Sequence, residues 1–347
     1  MKILHLIFSF NTGGSETMLI DIINDQIKYE EILLIIVNRV YKKELLERID
    51  RKVPVYLINR KPGSRNLIPL IKLNYLIFKI KPDVIHCHSF ELAQILFRKL
   101  FHSKIFLTVH GIGVPTKYHH KYDKIFAISK AVQKDIRSNC ALDAKVVYNG
   151  IYFDSIKPKE NYNFDIFKIV CVSRLYHQKK GQDVLIKAIQ TMVKNNITNV
   201  YVDFIGEGKS LRYLEEMANE FNLQNHIRFL GLKDRNYIYS HLKDYNLLVQ
   251  PSFYEGLGLT VVEAMAAKVP VLVSNIDGPM EIIDSGKYGY YFEVGNEKDC
   301  AQKILNIMED YNNKIIQDRC EEVYFYAKDN FDIKKTASNY VSEYRKL

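Results

Sequence analysis

Short runs of β-branched and aliphatic residues alternate along the chain with longer stretches in which apolar positions recur at helical spacing. Alternation of this kind predicts βα units that build parallel sheets. In the first half it predicts strands at Ile3–Phe8, Ile32–Val37, Val53–Ile58, Val84–Cys87, Ile105–Val109, Ile125–Ile128 and Val146–Tyr148. Helical patterns lie near Glu16–Ile27, Lys42–Ile49, Leu67–Ile80 and Ser129–Arg137. The second half restarts the pattern with Lys168–Val172, Val200–Ile205, Ile227–Leu230, Leu247–Gln250, Val271–Ser274 and Tyr290–Phe292. The periodicity breaks at 149–162, where Asn-Gly, Lys-Pro-Lys and an Asn/Tyr-rich stretch mark a boundary. The expected organisation is two α/β domains with doubly wound sheets, residues 1–155 and 156–332, followed by a terminal helix near 333–347 that returns to the first domain. Two such domains facing one another make an interdomain cleft, with the residues just after each strand lining it.

A length of 347 residues fits two domains at roughly 150 residues each. Apolar residues at 47% and charged residues at 26% exclude a disordered or fibrous chain. Five cysteines at positions 87, 140, 171, 300 and 320 form no C-x-x-C pair, so neither a disulfide framework nor a zinc knuckle is expected, and a reducing compartment is. Polar Ser9 and Asn11 arrive too early for a signal peptide, and no apolar run approaches the roughly 20 residues needed to span a bilayer. A cytoplasmic protein is expected. The net charge of +9 is unevenly placed: residues 1–150 hold 24 Lys/Arg against 13 Asp/Glu, the remainder 25 against 27. A basic half suits an anionic membrane surface or a phosphorylated substrate; nucleic acid is disfavoured, because no zinc-finger spacing, RNP-like string or basic-region heptad occurs.

Candidate chemistry gathers after the strands. Ser9-Phe10-Asn11-Thr12-Gly13-Gly14-Ser15-Glu16 follows the first strand and opens a helix; paired glycines admit a phosphate and the helix N-terminus offers free N–H groups, although a tight strand-to-helix turn has the same pattern. It is neither G-x-G-x-x-G nor a P-loop. His86-Cys87-His88 and His110-Gly111 end two further strands, and strand-end packing or cleft lining explains them better than a metal. In the second half, Ser173-Arg174-Leu175 with Lys179-Lys180-Gly181 presents a guanidinium and an ammonium suited to clamping a diphosphate, or else a solvated basic loop. Pro251 to Ala266 places Glu255 in a loop and Glu263 about one and a half helical turns beyond it, with Gly256 and Gly258 between. Carboxylates accept from vicinal hydroxyls while the glycine backbone donates to an anion, as a sugar nucleotide requires.

Taken together these residues resemble the family 4 glycosyltransferases, retaining enzymes of the GT-B fold with two Rossmann-like domains. The resemblance runs through Gly13-Gly14-Ser15-Glu16, Asp83 to His88, Asn149-Gly150-Ile151, Ser173-Arg174-Leu175, Lys180-Gly181, Gly206-Glu207-Gly208, Phe229-Leu230-Gly231, the E-x7-E segment and Gly278-Pro279-Met280-Glu281. It implies that Arg174 and Lys180 hold the donor diphosphate, helped by Gly13, Gly14 and the backbone of Gly258, Leu259 and Thr260. It implies that Glu255 and His110 stand at the transferred sugar and Glu263 at the nucleotide ribose. The loop from Arg174 to Lys180 is one residue longer than the commonest family spacing, which makes Lys179 a rival clamp. No Asp-x-Asp occurs, so no metal-bridged diphosphate is expected, and no cofactor beyond the sugar-nucleotide substrate, a UDP-sugar. Acceptor specificity in the family is built largely from the N-terminal domain. The acceptor is then a saccharide or lipid-linked saccharide of bacterial lipopolysaccharide, capsule or exopolysaccharide. Helix 67–80, apolar with Lys72 and Lys79 on one face, is either a peripheral contact with an anionic membrane or a buried domain helix with two solvated lysines. The competing readings are a GT-B sugar-nucleotide epimerase and a non-catalytic nucleotide-sugar-binding subunit.

Overall fold

The computed structural model describes residues 1–11 and 13–346. Thr12 of the glycine motif and Leu347 of the expected terminal helix lie outside them. The chain divides into two units, Met1–Gly150 with Ile333–Leu347, and Ile151–Asp332. The division falls at Gly150 and not after residue 155, because the Ile151 N–H donates to the Phe331 carbonyl at 2.9 Å and Ile151 forms a β-bridge with Asp332.

The first unit holds strands β1 (Lys2–Ile7), β2 (Glu31–Asn38), β3 (Val55–Arg60), β4 (Val84–Cys87), β5 (Lys104–Val109), β6 (Lys124–Ala127) and β7 (Lys145–Val146). All pair in parallel, in the order β3-β2-β1-β4-β5-β6-β7. The second unit holds β8 (Phe167–Val172), β9 (Val200–Ile205), β10 (Ile227–Phe229), β11 (Leu247–Gln250), β12 (Val271–Ser274) and β13 (Tyr290–Phe292), again parallel, in the order β10-β9-β8-β11-β12-β13. Central strands covered on both faces read as continuous apolar runs, and β2 buries seven of its eight residues in succession. These are the two Rossmann-like sheets that the alternation predicts.

Some elements differ from expectation. The third strand begins at Val55 and not Val53, because the Val53 N–H closes a turn onto Asp50 and Pro54 has no N–H to pair. The pattern at 42–49 yields only the single turn Lys43–Leu46, which buries Leu45 alone and has no side-chain cap. The fourth helix starts at Lys130 because the Ser129 hydroxyl accepts from the Val132 N–H at 3.1 Å, and it runs on to Cys140.

Helix Ile68–Ile80 forms but is not a buried domain helix. It buries Leu73, Asn74 and Ile77, while Leu67, Ile68, Ile71, Tyr75 and Phe78 along the other side are half or more exposed, with exposed Lys72 and Lys79 beside them. Divided by structural unit, the charge asymmetry grows: 28 Lys/Arg against 14 Asp/Glu in the first, 21 against 26 in the second. All five cysteines are free thiols, and no helix among the described residues is long and apolar enough to cross a membrane.

The last helix, Ile333–Tyr344, completes the core of the first unit by burying Ile333, Ala337, Tyr340, Val341 and Tyr344. Tyr340 is fully buried, sets its ring edge-on to Phe126 at 5.1 Å and accepts a hydrogen bond from the Thr108 hydroxyl. Truncating it removes a large ring that nothing nearby can replace, at a cost of about 3–5 kcal/mol. Tyr340→Ala therefore lowers the thermal midpoint of the first unit by roughly 10 °C in calorimetry; a shift of a degree or two would show that this helix is not part of the unit's core.

Candidate functional site

In the second sheet the strand order reverses at β8, which has β9 on one side and β11 on the other. Loops leaving neighbouring strands at such a point diverge and open a crevice at their carboxyl ends. The loop after β8 carries Ser173 and Arg174, then the turn His177–Lys180 and Gly181. The loop after β11 carries Pro251 to Gly258 and enters helix Leu259–Ala266. The two loops touch backbone to backbone: Gly181 has φ +63°, and a Cβ there would lie 1.9 Å from the Pro251 carbonyl oxygen. Beside it the Phe253 N–H donates to the Lys179 carbonyl at 2.9 Å.

This contact brings two of the expected site residues together. Lys180 Nζ donates to the Glu255 carboxylate, and Gln250 Nε2 donates to the same oxygen at 3.2 Å. Lys179 is exposed, and its backbone carbonyl accepts from the N–H groups of Phe253 and Tyr254. Arg174 is exposed and enters no ion pair among the described residues. Gly258 caps helix Leu259–Ala266, so the N–H groups of Leu259 and Thr260 lie in its first turn, where no intrahelical acceptor exists. Glu263 is the fifth residue of that helix, about one and a half turns in as expected.

The same loops hold polar atoms that sequence reasoning missed. Gln182 Nε2 donates to Ser173 Oγ at 2.8 Å and to the Arg174 carbonyl at 2.9 Å, which fixes the side chain while its Oε1 is buried without a partner. Gln250 Oε1 and Ser252 Oγ are likewise buried and unpartnered. The three atoms lie at the end of β11, in the loop after it and at the start of helix Gln182–Lys194 that follows the β8 loop, and polar atoms buried without partners are uncommon in a folded protein. The available signal was a glutamine ending the otherwise apolar strand Leu247–Gln250.

The first sheet reverses at β1, flanked by β2 and β4. Gly13 and Gly14 follow β1 and begin helix Gly14–Gln26. A Cβ on Gly13 would meet Glu16 Oε2 at 2.5 Å, whereas one on Gly14 would meet nothing within 4 Å, and the φ of Gly14 is not positive. Neither packing against the described residues nor a positive φ requires glycine at 14. The Glu16 carboxylate, which accepts from Ser15 Oγ at 2.7 Å, already places negative charge at this helix N-terminus.

Beside these residues lies a cluster of imidazoles. His5 in β1 and His86 in β4 pair in register, His88 follows β4, and His110 follows β5. His5 Nε2 bonds Gln26 Oε1 at 2.9 Å, His5 Nδ1 bonds His88 Nε2 at 3.0 Å, and His88 Nδ1 bonds His110 Nε2 at 3.2 Å. His86 bonds the Thr108 hydroxyl at 2.7 Å and the Tyr344 hydroxyl at 2.6 Å. Nitrogens of His5, His86 and His88 approach within 4.8 Å of one another, the spacing of a metal site, but all six ring nitrogens of these three residues carry hydrogen bonds. His110 Nδ1 is buried without a partner. His88 and His110 line a cavity of about 360 Å³ with Ser15, Glu91 and Val114. Burial keeps all four imidazoles neutral, holding His5 and His110 down to about 4 and His86 and His88 well below the usual 6.5.

Residues 12–154 match the family described as Glycosyltransferase Family 4, and residues 153–323 match Glycosyl transferases group 1. An uncharacterized glycosyltransferase of Methanocaldococcus jannaschii is 30% identical over 269 residues, 73% of this chain and 70% of that one. The chain belongs to the family 4 glycosyltransferases. Its GT-B fold is shared with HepE of Anabaena, solved in complex with UDP, at a TM-score of 0.84 and 22% identity over the whole of both chains. Another relative, the poly(ribitol-phosphate) alpha-N-acetylglucosaminyltransferase of Staphylococcus aureus, is 30% identical over 57% of this chain and 38% of its own. In this glycosyltransferase, then, Arg174, Lys180, Glu255, Gly258, Leu259, Thr260 and Glu263 belong to the second unit, and Gly13, Gly14 and His110 to the first.

The buried imidazoles make the first unit acid-sensitive. Each binds a proton more readily when unfolded, so its contribution is complete above pH 6.5 and is lost as the pH falls from about 6.5 toward 4. The limiting slope is about 1.4 kcal/mol per pH unit for each group. Calorimetry from pH 7 to 5 should show a falling midpoint for the first unit and proton uptake on unfolding; a midpoint independent of pH in that range would contradict neutral burial.

Proposed function

We propose that the protein is a retaining, metal-independent hexosyltransferase that moves a sugar from a UDP-sugar to a saccharide or lipid-linked acceptor in bacterial surface-polysaccharide synthesis, whether lipopolysaccharide, capsule or exopolysaccharide. The observation that carries the reading is the Lys180–Glu255 pair set beside exposed Arg174 and the helix start at Gly258. HepE, TarM and WaaB, which share the fold, support it through what their own descriptions name: UDP and UDP-glucose for HepE, alpha-GlcNAc-glycerol and UDP for TarM, the lipopolysaccharide outer core for WaaB.

Arg174 and Lys180 hold the diphosphate with the N–H groups of Gly258, Leu259 and Thr260; Gly13 and Gly14, at the start of helix Gly14–Gln26, are phosphate-contacting residues in this reading. Guanidinium, ammonium and a helix N-terminus neutralise the leaving UDP without a metal. Glu263 accepts from the ribose hydroxyls. Glu255 and His110 accept from hydroxyls of the transferred sugar. The bond from the anomeric carbon to the diphosphate oxygen breaks, the acceptor oxygen bonds to that carbon on the same face, and the acceptor's proton passes to the departing phosphate oxygen. No protein nucleophile is required.

Two experiments test this reading. A thermal-shift panel of nucleotides and nucleotide-sugars should single out UDP and its sugars, with the shift lost in Arg174→Ala. Glu255→Ala should lower transfer by about a hundredfold while leaving UDP affinity intact, since the substitution frees Lys180 from its carboxylate partner; equal losses of binding and transfer in the two variants would overturn the roles.

The first unit's charge and the exposed face of helix Ile68–Ile80 support a membrane setting for the acceptor. Ile68, Ile71, Tyr75 and Phe78 recur along one side of the helix with Lys72 and Lys79 flanking them, the arrangement of a helix lying on the inner, anionic leaflet of the cytoplasmic membrane. Each lysine near such a surface contributes about 1 kcal/mol. The protein should co-sediment with phosphatidylglycerol vesicles and not with phosphatidylcholine, and Lys72→Gln with Lys79→Gln should weaken binding roughly thirtyfold. Equal binding to both vesicle types, or to neither, would remove the membrane from the account.

A further inference from the structure

The hydrogen bonds that join Gln26, His5, His88 and His110 have a direction, and it follows from groups whose roles are fixed. The Ala337 carbonyl can only accept, and the Gln26 side chain approaches it through Nε2 at 3.3 Å. The amide nitrogen therefore faces Ala337, and Oε1, which can only accept, faces His5 Nε2 at 2.9 Å. His5 must carry its hydrogen on Nε2, leaving Nδ1 as a bare lone pair. His88 Nε2, 3.0 Å away, must then be the donor to His5, which leaves His88 Nδ1 as an acceptor. Among the described residues the hydrogen available to it is on His110 Nε2 at 3.2 Å. His110 is thereby left with an unprotonated Nδ1, the same atom that is buried and has no partner.

We propose that Gln26, His5 and His88 are positioning residues that lock His110 in the Nε2–H tautomer, so that its Nδ1 is an acceptor held for a hydroxyl of the substrate. The inference deepens the reading that places His110 at the transferred sugar and rests on it for the identity of the ligand. It adds a selection rule. An ionised phosphate or carboxylate oxygen brings no hydrogen and is repelled by the lone pair, whereas a sugar hydroxyl in the cavity lined by His88 and His110 supplies the missing donor. The four residues come from β1, from the helix after it and from the ends of β4 and β5, all within the first unit, so the tautomer is set before any ligand arrives.

The lock has a consequence in the second branch of the cluster. The Thr108 hydroxyl donates to Tyr340 at 3.2 Å and so accepts from His86 Nε2, while His86 Nδ1 accepts from the Tyr344 hydroxyl at 2.6 Å. His86 is therefore also an Nε2–H tautomer, but both of its nitrogens are satisfied within the protein. Of the four imidazoles, His110 alone offers an open lone pair.

Nitrogen-15 NMR of the full-length protein labelled at histidine reads the tautomers directly, because protonated and bare ring nitrogens resonate far apart; His110 signals are assigned by their loss in His110→Gln. The expected spectrum of the free protein shows His110 Nδ1 bare and Nε2 protonated. In Gln26→Met, which removes the terminal acceptor, the His110 pattern becomes a mixture of tautomers, and the KM for the sugar nucleotide rises roughly two- to tenfold while the Kd for UDP stays unchanged. His88→Met, which breaks the chain next to His110, gives the same signature should Gln26→Met fold poorly. A wild-type His110 protonated on Nδ1, or a tautomer unmoved by either variant, would overturn the proposal. A correct tautomer whose signals do not respond to any nucleotide-sugar of the thermal-shift panel would instead remove His110 from the sugar site and leave the lock in place.

Discussion

A parallel sheet places the starts of all its connecting loops at one edge, and only where the strand order reverses do two neighbouring loops turn away from each other. In the second unit that constraint falls on β8 and β11. Everything in the candidate donor site depends on it: Arg174 and Lys180 come from one loop, Glu255 and the helix start at Gly258 from the other, and the tight approach of Gly181 to Pro251 sets their spacing. The pairing of Lys180 with Glu255 is then the natural state of two opposite charges left at the mouth of such a crevice. Together with the Gln250 amide it holds the Glu255 carboxylate in one orientation.

The first unit uses the same topology for a different purpose. Its reversal point beside β1 is lined with imidazoles that burial has stripped of charge, and their hydrogen bonds form directed chains in place of a set of interchangeable contacts. Neutral imidazoles add no further charge to an already cationic unit, and one of them, His110, keeps a lone pair without a partner among the described residues. The three histidines whose nitrogens lie at metal-site spacing all take part in these bonds.

How much of this could be read from the sequence depends on the range of the interaction. Strands buried on both faces announce themselves locally, and Val84–Cys87, Val200–Ile205, Leu247–Gln250, Val271–Ser274 and Tyr290–Phe292 begin and end where the apolar runs do. Motifs that lie within one loop, such as Lys180-Gly181 or Gly256 to Thr260, could be picked out as well. The meeting of His5 with His88 could not, because it joins residues 83 apart and His5 sits within a run of leucines and isoleucines that reads as plain strand. Gln26 and Gln182 look like ordinary polar helix positions until their buried neighbours are known. The helix at 68–80 was legible as an element but not in its placement: its apolar composition left a buried helix and a surface helix both open, and only the packing of the first unit decided that Ile71, Tyr75 and Phe78 face outward.

The measurement that tests the central claim most directly is hydrogen exchange of the full-length protein with and without UDP, followed by mass spectrometry. The account predicts protection concentrated at 173–181 and 254–263, the two loops that leave β8 and β11, with the outer strand β10 unchanged. Protection confined to other segments, or none at a saturating UDP concentration, would contradict a donor site built on that reversal of strand order.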